Sequence, residues 1–246
     1  MTYNTITKKW ESQYWHPTVT TDSVVLGFDN EELNILLIKR NLDPFKDTWA
    51  LPGGFLREDD MTAKDGAYRE LKEETSIKLD GIYLEEFKSY SDRYRDPRER
   101  VITIAFLALV QKSDYINVKG ADDAKEAKWF SIKEIPELAF DHKKIVEDAL
   151  ESLKRRIHFE PIAFHLLNNK FTLSQLQNVY IAILNPPEGF NTLRDRRNFP
   201  RKIAALKYIK PTGEKLEGTP YKAPELYTFD EEEYQQVKDK GLWLEL

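Results

Sequence analysis

Apolar positions fall first into two β-branched runs, Val24–Phe28 and Leu33–Lys39, separated by the polar tetrapeptide Asp29–Glu32. That pattern predicts a hairpin. A turn-rich stretch, Asn41–Thr48, then leads into Trp49–Phe55. From Thr62 the period lengthens. Ala67 and Leu71 share one helical face, Thr62 stands at the N-cap, and Asp65 supplies the acid of a capping box, so a helix is expected over Thr62–Thr75. Gly81–Tyr90, Val101–Val110 and Ala127–Ser131 read as further strands. Asp141–Ile157 reads as an amphipathic helix with Ile145, Ala149 and Leu153 at four-residue steps. Strands and helices alternating around one core make the front half an α/β domain.

The pattern behind it differs. Thr172 caps a second amphipathic helix whose face carries Leu173, Leu176, Tyr180 and Ile183. Asn185–Thr192 breaks it, and a basic stretch, Arg194–Leu206, follows. Pro200 fits there only in the first turn of a helix starting near Asn198. Tyr208–Lys210 and Leu226–Phe229 read as two strands around a long loop. Helix, turn, basic helix and hairpin describe a small winged helix-turn-helix domain. Pro161 ends the preceding helix, which places the division at residues 1–158 and 159–246.

Composition narrows the classes. The 246 residues include no cysteine, which removes disulfide scaffolds, thiolate metal sites and cysteine nucleophiles and fits a reducing compartment. The longest apolar run, Val101–Val110, is too short to span a bilayer. The first ten residues have no apolar core of the kind a signal peptide needs, so a soluble, cytoplasmic protein is expected. The net charge of −5 is unevenly spread: residues 1–154 carry −7 and residues 155–229 carry +6. An acidic front and a basic back suggest different partners for the two halves.

Candidate chemistry is densest in Arg69-Glu-Leu-Lys-Glu-Glu74. On a helix, Glu73 and Glu74 bracket Glu70, so three carboxylates share one face. Like charges about 5 Å apart repel by roughly 3 kcal/mol at an effective dielectric near 20, and three such groups want a shared proton or a hard divalent cation. The competing reading is a solvated acidic helix face. Gly53-Gly54 upstream lets the backbone turn tightly beside such an ion and offer amides to a phosphate. Arg40, Arg95, Arg98 and Arg100 are candidate phosphate clamps, or surface partners of Asp43, Asp92 and Glu99. Trp49 and Phe45 are candidates to stack on a base or to join the core, and His142 to contact ligand or to cap a helix.

Gly54 through Ile77 resembles the Nudix box, a glycine and an acid followed by Arg-Glu-apolar-x-Glu-Glu. The resemblance implies an α/β/α sandwich with a mixed sheet, and hydrolysis of a diphosphate linked to a nucleoside. It also implies Glu70, Glu73 and Glu74 as ligands of Mg2+ or Mn2+, with Arg69 bracing them. Substrate contacts are expected from Gly53, Gly54, Arg40, Arg95 and His142. Two departures stand out. The stretch from Gly54 to Arg69 is one residue longer than the family pattern, which puts Met61 at the upstream acid position and leaves Asp59 or Asp60 to supply the acid. Ser76 replaces the glycine that usually ends the box helix.

Together with the winged helix, the chain is similar to the Nudix-related transcriptional regulators, which sense ADP-ribose, other nucleotides or a sugar and release an operator. Arg95-Asp-Pro-Arg98, Phe140-Asp-His142, Phe171–Gln177 and Arg196-Arg-Asn-Phe199 carry that similarity. Phe190–Lys222 holds nine Lys/Arg against three Asp/Glu, the excess that phosphate contacts need. Arg194, Arg196, Arg197, Arg201 and Lys202 are the expected contacts to double-stranded DNA, and the acidic stretch Asp230–Glu233 opposes them unless it lies away from the groove. A diphosphatase with a structural C-terminal domain, and a DNA-binding regulator with an effector pocket, each account for part of the chain. The expectation is a homodimer that keeps both capacities: binding and hydrolysing an ADP-ribose-like nucleoside diphosphate, and binding DNA.

Overall fold

Polar residues at the start of the central strand make it longer than its apolar run suggests. In the computed structural model, which describes residues 1–29, 31–75, 82–115, 124–186, 191–195, 197–218 and 223–239, that strand extends back to Thr18. The chain opens with a short antiparallel hairpin, β1 (Thr2–Asn4) and β2 (Lys9–Glu11). Then come β3 (Thr18–Phe28), β4 (Leu33–Arg40), β5 (Trp49–Ala50), β6 (Gly53–Phe55) and helix α1 (Ala63–Thr75). They are followed by β7 (Tyr83–Tyr90), β8 (Val101–Gln111), β9 (Ala124–Ser131) and α2 (His142–Arg156). Gly81 and Ser76 lie outside the described residues.

The sheet runs β5-β4-β3-β8-β7, with β6 beside β3 and β9 beside β4. β3 and β8 are parallel from Thr18↔Val101 to Phe28↔Gln111, while β4 joins β3 as the expected antiparallel hairpin. Alternation along β3 decides which side each helix covers. Val25 faces a cluster with Leu36 and Phe106, sealed by Ala67 and Leu71 of α1. Val24 and Leu26 face the opposite side, sealed by Ile145, Ala149 and Leu153 of α2. The result is a mixed-sheet sandwich with a helix on each face. Thr62 caps α1 as expected: its Oγ1 accepts from the Asp65 amide at 3.1 Å and donates to Asp65 Oδ2 at 2.8 Å.

The second half begins with a 3-10 turn, Ile162–Leu166. It continues as α3 (Leu173–Leu184), α4 (Asn191–Arg194), α5 (Asn198–Ala204), β10 (Ile209–Lys215), β11 (Glu225–Phe229) and α6 (Glu231–Asp239). Thr172 and Gln175 form a reciprocal capping box at α3. The basic stretch is two short helices, because Asp195 interrupts it and accepts from the amides of Arg197 (2.7 Å) and Asn198 (3.1 Å) to start α5. Pro200 does fall in the first turn of α5. The acidic stretch is the start of α6: Asp230 Oδ1 accepts from the Glu233 amide at 3.0 Å, and Tyr234 is buried against Tyr208 and Phe229.

The two halves share one hydrophobic cluster. Leu153 and Ile157 at the end of α2 are continuous with Ile162, Leu166, Leu176, Tyr180 and Phe199. At the same end Arg156 donates Nη2 to Glu85 and to Glu160, both at 2.6 Å, tying the edge of the sheet to the connection. The expected division after residue 158 therefore falls in a segment packed on both sides. Among the described residues, no helix is long and apolar enough to cross a membrane.

Candidate functional site

The turn from β5 to β6 puts Gly53 and Gly54 against the centre of α1. A Cβ on Gly53 would stand 2.1 Å from the Thr21 carbonyl oxygen, and one on Gly54 would stand 2.6 Å from Glu70 Oε1. Gly53 requires glycine, because its neighbour is backbone, whereas at Gly54 the Glu70 side chain would have to move aside. The gap left by the missing side chains is filled by carboxylates. Glu74 Oε2 accepts from the Gly53 amide at 2.8 Å. Glu74 is buried, and burial pushes its carboxyl up to about 8 against the stabilising Gly53 amide, with the charges of Glu70 and Asp22 adding to the rise. Burial also raises Glu70, opposed by the Arg69 guanidinium.

Arg69 braces these acids with nearly every donor it has. It reaches Glu70 Oε1 (2.5 Å), Glu73 Oε2 (3.3 Å), the Phe55 carbonyl (3.0 Å) and both oxygens of Asp60 (3.0 and 2.8 Å). Of the two upstream candidates, Asp60 is the acid placed here, and its contact with Arg69 holds its carboxyl at about 2. Asp60 is a support for Arg69 in this arrangement. Glu73 is turned toward Arg57, which forks onto both its oxygens at 3.0 and 2.8 Å. The sequence reading missed Arg57. No local signal marks it, since the pairing spans sixteen positions.

The facing wall comes from β3 and the α2 N-terminus. Asp22, mid-strand and buried, accepts from Arg95 Nη2 at 3.3 Å, and its Oδ1 lies 3.5 Å from His142 Nε2. Arg95 donates to both oxygens of Asp141, at 3.0 and 2.8 Å. Burial works against the Arg95 charge, yet Asp141 and Asp22 hold its pKa above the ordinary value. His142 Nδ1 accepts from the Leu51 amide at 2.9 Å, and burial holds the ring pKa below its usual range. Arg95 and His142 border the cleft, but their polar atoms are committed to anchoring α2 against β3. Arg95 pairs with Asp22 and Asp141 in place of the Asp92 that the sequence offered. Asp22 carries no sequence signal, because it stands in the polar stretch Thr20–Ser23 ahead of the apolar run Val24–Phe28.

Two further arginines line the cleft: Arg98 forks onto Asp96 at 3.0 and 2.6 Å, and Arg40 donates to the carbonyls of Pro44 (3.0 Å) and Leu42 (3.3 Å). Arg40 and Arg98 stack on Phe140, 4.9 and 5.7 Å from the ring centre, and Arg98 lies 5.1 Å from Phe55. Burial lowers the pKa of Arg40, and the like charge of Arg98 adds to the effect. Two cations that repel across one ring are suited to share an anion. Phe140 and Phe45 meet edge to face at 4.7 Å, and both have left-handed backbones, φ 53° and 64°. Such strain in bulky residues concentrates at binding sites. Trp49 packs on Phe130 in the core. The carboxylates, the glycine turn, Arg40, Arg98 and Phe140 enclose a cleft of about 450 Å3.

Among the described residues, no three acids or histidines are gathered closely enough to hold a metal as they stand, because Glu73 is held by Arg57 and Glu70 by Arg69. The donor set nevertheless suits a hard cation. Glu70, Glu74 and Asp22 offer only carboxylate oxygens, and the charges of Glu70 and Asp22 both oppose ionisation of Glu74. A divalent ion beside Glu70 and Glu74 would relieve that repulsion.

In the second half, Arg194, Arg197, Arg201 and Lys202 are all exposed on α4, α5 and their junction. Arg196 lies outside the described residues. Gln177, buried on α3, donates Nε2 to the carbonyls of Leu193 (2.7 Å) and Asp195 (3.2 Å), so α3 fixes the junction that carries the cations. The sequence reading gave Gln177 no such part.

Residues 17–149 match the family model described as NUDIX domain, and residues 163–229 match the model described as NrtR DNA-binding winged helix domain. The ADPR responsive transcriptional repressor NtrR of Acinetobacter baylyi is 31% identical over 228 residues, covering 91% of this chain and 86% of that protein. The ADP-ribose pyrophosphatase of Methanocaldococcus jannaschii is 42% identical over 139 residues, covering 55% of this chain and 74% of the relative. The crystal structure of Shewanella oneidensis NrtR complexed with a 27mer DNA superimposes with a TM-score of 0.73 at 26% identity, covering 88% of this chain and 95% of that one.

Proposed function

The chain belongs to the Nudix family, with an NrtR-type winged helix behind the Nudix domain, and on that footing we propose that it is an ADP-ribose-responsive transcriptional repressor. The observation that carries this reading is the likeness to a repressor along 91% of the chain, through both halves. Residues 1–158 form the ligand-receiving part and residues 159–246 the DNA-binding part.

The cleft suits such a ligand. Arg40 and Arg98 lie on the Phe140 ring, where a diphosphate would bridge two guanidinium groups that otherwise repel. Phe140, backed by Phe45, and Phe55 offer aromatic surface for the nucleoside end. Arg95, Asp22, Asp141 and His142 hold the wall in place and transmit its position to α2. Arg194, Arg197, Arg201 and Lys202 contact DNA phosphates, and a two-fold dimer presents two such sets to adjacent half-sites.

Hydrolysis is the second capacity, supported by the 42% identity to an ADP-ribose pyrophosphatase and by the intact Glu70, Glu73 and Glu74. Glu70 and Glu74 would hold Mg2+ or Mn2+, with Glu73 joining once Arg57 moves, and Arg69 orienting them. A bound divalent cation supplies charge neutralisation for the diphosphate and polarises its phosphoryl oxygen. Addition of water across the P–O–P linkage of ADP-ribose gives AMP and ribose 5-phosphate. Gly53 and Gly54 leave room for the diphosphate beside the carboxylates.

Calorimetric titration tests the ligand assignment. ADP-ribose is expected to bind the full-length protein more tightly than AMP or ribose 5-phosphate, and Arg98→Ala is expected to weaken it about tenfold, as removal of one charge-assisted hydrogen bond would. Equal affinity for ADP-ribose in wild type and Arg98→Ala would remove the arginine pair from the site.

A further inference from the structure

Arg57 reaches the carboxylate wall from the loop between β6 and α1. Its backbone is pinned there, since its amide donates to Asp60 Oδ2 at 2.8 Å, and Asp60 is itself held by Arg69. From that anchor the guanidinium delivers Nη1 to Glu73 Oε1 and Nη2 to Glu73 Oε2, the fork geometry of the stronger arginine–carboxylate pairs. The pair stands at the rim, where solvent reaches both side chains, at 52% exposure for Arg57 and 27% for Glu73. It borders the same cleft as Glu70, Glu74, Arg40 and Arg98. Arg57 makes no second ion pair among the described residues.

The charges of the wall are thus already matched in part by the chain's own cations. Asp60 and Glu70 share Arg69, and Glu73 has Arg57. A divalent ion approaching Glu73 must displace a preorganised guanidinium, whereas a diphosphate approaching the rim meets that guanidinium as an added cation. We propose that Arg57 is a built-in counter-cation that competes with divalent metal for Glu73, so that the cleft receives a nucleoside diphosphate without metal. This rests on the cleft being the ADP-ribose receptor.

The test is Mn2+ binding to the full-length protein without nucleotide, followed by the electron paramagnetic resonance signal of free Mn2+, for wild type, Arg57→Gln and Arg57→Lys. Arg57→Gln is expected to bind Mn2+ at least tenfold more tightly than wild type. Arg57→Lys is expected to fall between them, because lysine keeps the charge and loses the fork. The exposed position lets both variants fold, which their thermal transitions check. Arg57→Gln binding Mn2+ no more tightly than wild type overturns the proposal. Titration of ADP-ribose into wild type in excess EDTA is the separate arm. Binding there supports metal-free reception; binding that appears only when Mn2+ is restored overturns that part of the proposal, and no binding with or without Mn2+ overturns the receptor reading.

Discussion

The Gly53 amide donates to Glu74 Oε2 at 2.8 Å, so the glycine turn and the box helix hold each other at the base of the cleft. This hydrogen bond compensates only part of the burial of Glu74, whose carboxyl rises to about 8. The unpaired remainder of that charge is the reserve a divalent cation would draw on.

In EDTA that reserve has a pH signature. The folded value lies above the ordinary 4.5, so between those limits the folded protein keeps a proton that the unfolded chain has released. Glu74 therefore lowers stability progressively as pH rises from about 4.5 to about 8, and the loss levels off above. Glu74→Gln keeps the acceptor for Gly53 and removes the titration. Its melting temperature, measured in EDTA, is expected to exceed that of wild type by a margin that widens from about pH 5 to about pH 8. A constant margin contradicts the account.

The two glycines separate fold from site. Gly53→Ala drives its methyl into the Thr21 backbone carbonyl and is expected to cost about 3 kcal/mol or more of stability by denaturant titration. Gly54→Ala meets the Glu70 carboxylate, which is able to swing away. It is expected to melt near wild type yet bind Mn2+ more weakly. If Gly54→Ala proves the more destabilising of the two, the assignment of their neighbours is wrong.

Much of this was legible in the chain. The capped α1, the β3–β4 hairpin and the Thr172 cap follow from local periodicity and side-chain hydrogen bonding, which act within a few residues. The acids of the box were legible because helical spacing places them on one face. Asp22 and Arg57 were not, because each acquires its part through a partner far away in sequence. His142 was singled out as a possible ligand contact, and its burial against Leu51 appears only once α2 is laid on β3. The charge break between the halves suggested different partners for them, and it carries no sign of the apolar residues at the end of α2 that both halves share.

That shared core predicts cooperative unfolding. Leu153→Ala removes a fully buried side chain from the cluster reaching Ile162, Leu166 and Tyr180, at a cost of about 2–5 kcal/mol. Calorimetry is expected to show one transition for wild type and one, shifted down, for the variant. Two transitions, of which only one moves, would mean that the halves unfold separately.

Gln177 should govern DNA binding without touching DNA. Gln177→Leu leaves the Leu193 and Asp195 carbonyls without their donor and lets the basic junction drift. Operator affinity is expected to fall about tenfold, with ADP-ribose affinity unchanged. Replacing Arg197 and Arg201 by alanine acts differently. It should flatten the dependence of log K on log salt by about 2 to 4 in a dimer, at roughly 0.9 for each phosphate that is no longer neutralised. A salt slope equal to that of wild type excludes both arginines from binding phosphate.

The coupling between the two halves is the centre of the account, and fluorescence anisotropy of a labelled duplex from upstream of the protein's own gene measures it directly. Full-length protein is titrated with and without saturating ADP-ribose, beside a random duplex of equal length. The account predicts tighter binding to the upstream duplex than to the random one, and a tenfold or greater loss of that affinity with ADP-ribose, within the usual 1–3 kcal/mol range of allosteric coupling. Equal affinity for the two duplexes, or an operator affinity that ADP-ribose leaves unchanged, would contradict it.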